Sequence, residues 1–203
     1  AANALGQLVK QFDDKSIGGV SGRPVSTDSK KKLLGYWGNL LADAAHKKRT
    51  LEYSRKRNYF MSGYLLAFRK MTGMRIPENA LVDDAWITLY LANNGYRIGY
   101  EPNALVLEKY PKTFSDWLKQ KRRSAGGYAQ LETQGNLNKG AKRNFSEELK
   151  FILFPLSYSR NLLEFSYSLL LYPARLILWL LIFIDKLSGK HKTLDLWVRI
   201  EST

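Results

Sequence analysis

The chain has 203 residues, no cysteine, two histidines, and 32 Lys+Arg against 18 Asp+Glu, a net charge of +14. Disulfides, thiolate metal sites and a cysteine nucleophile are therefore excluded, and His46 and His191 are too few for a histidine metal cluster. The basic excess favours polyanions, phosphate-bearing ligands or an anionic membrane surface, and leaves the fold open.

In chain order, Leu5, Leu8, Val9 and Phe12 recur at helical spacing and predict a helix over 4–13. Ile17 to Pro24 predicts a strand running into a turn, with glycines that allow close backbone approach or a bulge. Residues 29–57 are expected to be mostly helical and basic at both ends. The apolar run Tyr59–Arg69, with Ser62-Gly63 inside it, is expected to be a buried strand or strand pair. A helix should start at Asp83 and Asp84 and stop at Asn94-Gly95. Two short strands, 96–100 and 104–108, should follow, then a helix from Thr113 to about Leu131 with Thr113-x-x-Asp116 as its capping box. Trp37, Trp86 and Trp117 fall at apolar helix positions and are expected in the core.

The composition changes after that. Residues 133–146 are rich in Gly, Asn and Lys and suggest a linker. Phe165–Ile184 holds one charge, Arg175, and one proline, Pro173. Its length suits a bilayer span. A kinked span, a re-entrant pair, helices lying in the interface and a buried core hairpin are all compatible with it. The tail Asp195–Thr203 alternates like a strand. The chain opens without Met and shows no signal-peptide pattern, so we take it as processed or as a piece of something longer. No Asp-x-Asp occurs in it.

Two clusters have residue types suited to chemistry. Asp83 and Asp84 project about 100° apart from a helix start, so they cannot straddle a bond as a hydrolase pair does. One can cap the helix while the other projects as a proton acceptor, kept ionised by the helix dipole; equally, both can simply cap. Gln120 and Arg123, at i and i+3, share a helix face where the guanidinium can fork onto phosphate and the amide can bind a sugar hydroxyl. Arg122 lies on a neighbouring face. A solvated or lipid-facing basic helix accounts for the same residues.

Taken together, these residues resemble a family 2 glycosyltransferase, the membrane-associated group with a GT-A fold that includes hyaluronan, chitin and cellulose synthases. Ser62-Gly63-Tyr64-Leu65-Leu66-Ala67-Phe68-Arg69 is similar to its Ser/Thr-Gly…Ala-x-Arg strand. Asp83-Asp84-Ala85-Trp86-Ile87 resembles its Glu-Asp-x-x-Leu motif, and Gln120-Lys121-Arg122-Arg123-Ser124 its Gln-x-x-Arg-Trp motif. The resemblance implies an α/β fold: the C-terminal, acceptor-side half of a GT-A domain over 1–132, a linker over 133–146, amphipathic or transmembrane helices over 147–190 and a tail over 191–203. It implies Asp84 as catalytic base, with Asp83, Ser62, Gly63, Gln120, Arg122 and Arg123 binding substrate. The expected activity is inverting, hexosyltransferase-type transfer from a nucleotide-diphosphate donor to a carbohydrate or lipid acceptor hydroxyl, in polysaccharide or glycolipid synthesis. The enzyme is expected at the membrane, with its catalytic part cytoplasmic. A divalent cation, Mg or Mn, is expected in the full enzyme, bound mainly by an Asp-x-Asp outside this chain, and no metal site is expected within it. The donor half is expected from a missing N-terminal part or a partner subunit, so this chain alone is expected to be inactive. Ser124 stands where the family has Trp; a hydroxyl does not stack on a sugar ring, which counts against long-chain processivity and leaves transfer untouched. The rival reading is a non-catalytic basic module that binds polyanions at a membrane surface. No nucleic-acid motif is present.

Overall fold

The computed structural model describes residues 3–133, 152–187 and 202. They form a mixed α/β fold with a small sheet, in agreement with the expected class. Of the linker expected over 133–146 only Thr133 is described, as the last residue of a helix; the remainder, and the expected tail strand apart from residue 202, lie outside the described residues. The chain divides into two compact units, Ala1–Val25 with Ala42–Glu108, and Ser26–Leu41 with Lys109–Thr203.

The first unit begins with α1 (Ala4–Lys10), a 3₁₀ turn (Gln11–Asp13) and β1 (Ile17–Ser26). It continues with the later part of α2 (Leu33–Ser54), β2 (Leu66–Phe68), α3 (Asp83–Asn93) and β3 (Arg97–Glu108). The sheet runs β2-β1-β3, and β1 pairs antiparallel with β2 in the register Gly19↔Phe68, Val20↔Ala67, Ser21↔Leu66. β1 is buried from Ile17 to Gly22, as a strand flanked on both sides must be. A Cβ on Gly22 would stand 2.6 Å from the Ala104 carbonyl oxygen, so close approach is what requires glycine there. Arg69 staples the sheet to the preceding turn. It donates from Nε to the Ile17 carbonyl at 2.8 Å and from Nη2 to the Phe12 carbonyl at 2.7 Å.

Two expectations for this unit are corrected. The segment 59–69 is not a strand or strand pair: only Leu66–Phe68 joins the sheet. Upstream, three consecutive backbone N–H groups are taken by side chains. Met61 donates to Thr88 Oγ1 at 3.1 Å, Ser62 to Ser21 Oγ at 2.9 Å and Gly63 to Asp84 Oδ2 at 2.8 Å. Donors satisfied this way need no ladder. The two strands expected over 96–108 are one, Arg97–Glu108. It carries Pro102 within it, which an outer strand tolerates because a missing donor there breaks no ladder bond.

The second unit holds the start of α2, α4 (Phe114–Thr133), α5 (Phe154–Tyr158) and α6 (Leu162–Leu187). Thr113 caps α4 as expected, its Oγ1 accepting the Asp116 N–H at 3.2 Å. Tyr36, Trp37, Leu40, Trp117, Leu171 and Ala174 form its core. Trp37 Nε1 donates to the Tyr167 carbonyl at 2.7 Å, and the Tyr36 hydroxyl meets Ser168 Oγ at 2.8 Å. These bonds satisfy the polar ends of two large buried rings. By length and composition α6 is a helix long and apolar enough to cross a membrane, and most of its apolar stretch is not buried.

Candidate functional site

Asp83 and Asp84 form the first turn of α3. Val82, the residue before the helix, makes no side-chain cap, so the aspartates take over the free helix donors. Asp83 Oδ1 accepts the Asp84 N–H at 2.8 Å, and Asp84 Oδ1 accepts the Ala85 N–H at 2.8 Å. Asp84 Oδ2 accepts the Gly63 N–H at 2.8 Å. Each oxygen of Asp84 thus holds one backbone donor and keeps further acceptor capacity.

Asp83 is exposed, whereas Asp84 is half-buried. Burial raises the pKa of Asp84 above the usual carboxylate value, the N–H groups of Gly63 and Ala85 pull it down, neighbouring Asp83 raises it and Arg49 lowers it; the net shift is upward. Desolvation thus outweighs the two donors. A carboxylate with raised proton affinity is a better base.

Ser62 is buried and Gly63 is exposed, so the backbone beside Asp84 Oδ2 is open to solvent. The structure therefore brings Asp84, Gly63, Ser62 and Asp83 together within one unit. Two residues that sequence reasoning missed support them. Thr88, one turn after Asp84, donates to the Asp84 carbonyl at 2.7 Å while holding Met61 N–H, and Ser21 holds Ser62. Thr88 had one legible signal, its i+4 spacing from Asp84; Ser21 had none.

Gln120, Arg122 and Arg123 all lie on α4, in the second unit. Arg122 forks onto Asp185 of α6, with Nε at 2.9 Å from Oδ2 and Nη2 at 2.6 Å from Oδ1. That bidentate pairing occupies the Nε–Nη2 edge of the guanidinium. Gln120 Oε1 is buried with no hydrogen-bond partner among the described residues, and Ser124 spends its hydroxyl on the Gln120 carbonyl at 3.1 Å.

The family model for glycosyl transferase family group 2 matches residues 37–188. The chain belongs to that family. The matched span includes every site residue named from the sequence. No curated protein sequence matches the chain. For this glycosyltransferase, membership means sugar transfer, with a nucleotide-sugar donor and an acceptor. Among the described residues no group of three or more His, Asp or Glu side chains is placed to hold a metal ion.

Proposed function

We propose that this chain is the acceptor-side part of a membrane-associated, inverting glycosyltransferase that uses a nucleotide-diphosphate sugar. The observation that carries the reading is the Asp84 carboxylate, fixed at the mouth of α3 by two backbone N–H groups and facing an exposed glycine. Asp84 accepts the proton of the acceptor hydroxyl as its oxygen bonds to the anomeric carbon, and the bond to the diphosphate breaks on the opposite side. Gly63 presents open backbone to the acceptor, while Ser62 and Asp83 position the carboxylate.

On α4, Gln120 and Arg123 are proposed to hold the diphosphate as charge develops. Arg122 is left out of that role because Asp185 engages it. The divalent cation of the full enzyme would offset diphosphate charge. The residues described here supply no donor set for it, and no step is routed through it. We assign the donor half to polypeptide outside these 203 residues.

The test is Asp84→Asn in the membrane-bound enzyme with its donor half present. Transfer should fall about 10²–10⁴-fold while binding of the nucleotide sugar stays near normal. Undiminished turnover would remove Asp84 from the base role. Steeply salt-dependent polyanion binding without any turnover would favour the non-catalytic module.

A further inference from the structure

α6 has two unlike faces. Tyr167, Ser168, Leu171, Ala174 and Leu178 face the core of its unit, and Asp185 reaches Arg122. These anchors run from Tyr167 to Asp185, ~27 Å at 1.5 Å per residue. On the opposite side, about 160–220° round the helix from Tyr167, Phe165, Leu169, Leu176, Leu180 and Phe183 form an exposed apolar stripe. So large an exposed apolar surface marks an interaction face.

A helix crossing the bilayer would spread those anchors over most of a ~30 Å hydrocarbon layer. It would carry α4, with Lys119, Lys121 and the Arg122–Asp185 pair, into hydrocarbon, where charged groups are costly. Three further features favour the lipid surface. Pro173 leaves the Leu169 carbonyl without its helical donor, and both residues are exposed, so headgroup water can satisfy it. Arg175, near mid-helix, is tolerable at interfacial depth. At the start of the helix the Tyr167 hydroxyl donates to the Lys31 carbonyl at 3.1 Å, and Lys30 Nζ donates to the Tyr158 hydroxyl at 2.8 Å. The Lys30–Lys32 triplet is thus tied to the α5–α6 end, with Lys31 and Lys32 exposed.

We infer that α6 does not cross the membrane but lies in its plane, its apolar stripe sunk into the headgroup boundary of an anionic leaflet and Lys31 and Lys32 on the phosphates. The inference rests on the membrane association proposed above and deepens it.

Because the chain has no cysteine, single substitutions Phe165→Cys, Leu169→Cys, Leu176→Cys and Phe183→Cys can each carry a fluorophore on the whole chain. On phosphatidylcholine vesicles containing phosphatidylglycerol, all four labels should be quenched best, and about equally, by a shallow spin-labelled lipid. A deep optimum at Leu169 and Leu176 with shallow ends would show a crossing helix and overturn the inference while leaving membrane association intact. Absence of vesicle binding, with the labels buried in a dimer of the chain, would overturn both. Lys31→Glu and Lys32→Glu should each weaken binding to the anionic vesicles about fivefold or more and leave binding to pure phosphatidylcholine unchanged. An equal effect on both vesicle types would refute the headgroup contact.

Discussion

Asp84 carries a proton affinity set by opposition between burial, which raises it, and two backbone donors, which lower it. Because burial wins, the rate should respond to acid earlier than an ordinary aspartate would dictate. A base works only when ionised, so kcat/KM should rise with pH through the native pKa of Asp84. The acid limb of the profile should therefore fall above the usual value of about 3.9. A limb at or below that value would contradict the assignment. Gly63 offers a second check. A methyl group there would stand 3.3 Å from Asp84 Oδ2, tight enough to push the carboxylate by a few tenths of an ångström. Gly63→Ala should lower kcat about tenfold, with KM and far-UV circular dichroism little changed. The paired aspartates were visible in the sequence because acids at a helix start stand out. What holds them in place was not: Ser21 meets Ser62 across 41 residues, and no local pattern encodes such a bond.

At the scale of elements, the helices were legible and the short strand was not. Leu8 of α1 is buried as the periodicity predicts, Phe12 falls in the 3₁₀ turn that follows, and Leu5 and Val9 of the same stripe prove exposed. The Asn94-Gly95 stop fits the end of α3. The apolar run at 59–69 looked like a strand because hydrophobicity reports burial, and burial does not require a ladder. Thr88, Ser21 and Asp84 take the N–H groups that a longer β2 would have paired. β1 shows the reverse case, where glycine spacing correctly announced close packing. Gly22→Ala would press a methyl carbon against the backbone oxygen of Ala104, which cannot move without shifting β3. The variant should lose about 1–3 kcal/mol of stability, read as a lower denaturant midpoint with an unchanged slope.

At the scale of the molecule, the units interleave along the chain. α2 changes unit after Leu41, a division that no composition shift in the sequence marks. The second unit depends on a tie between α4 and α6. The Asp185 side chain is only 10% exposed and its partner Arg122 32%. Asp185→Ala would leave a partly buried guanidinium without its carboxylate, at a cost of roughly 1.5–3 kcal/mol. It should speed proteolysis near Leu187, and the swap Arg122→Asp with Asp185→Arg should restore much of the resistance. The same unit closes over a long stretch of chain: Tyr36 and Trp37 bond to Ser168 and Tyr167 across 132 and 130 residues. Translation covers that distance in on the order of ten seconds. During that interval two large aromatic rings have left the ribosome while the helix that will cover them has not yet been made. The nascent chain must keep those rings from sticking elsewhere, through a chaperone or a temporary local fold, until α6 is synthesised.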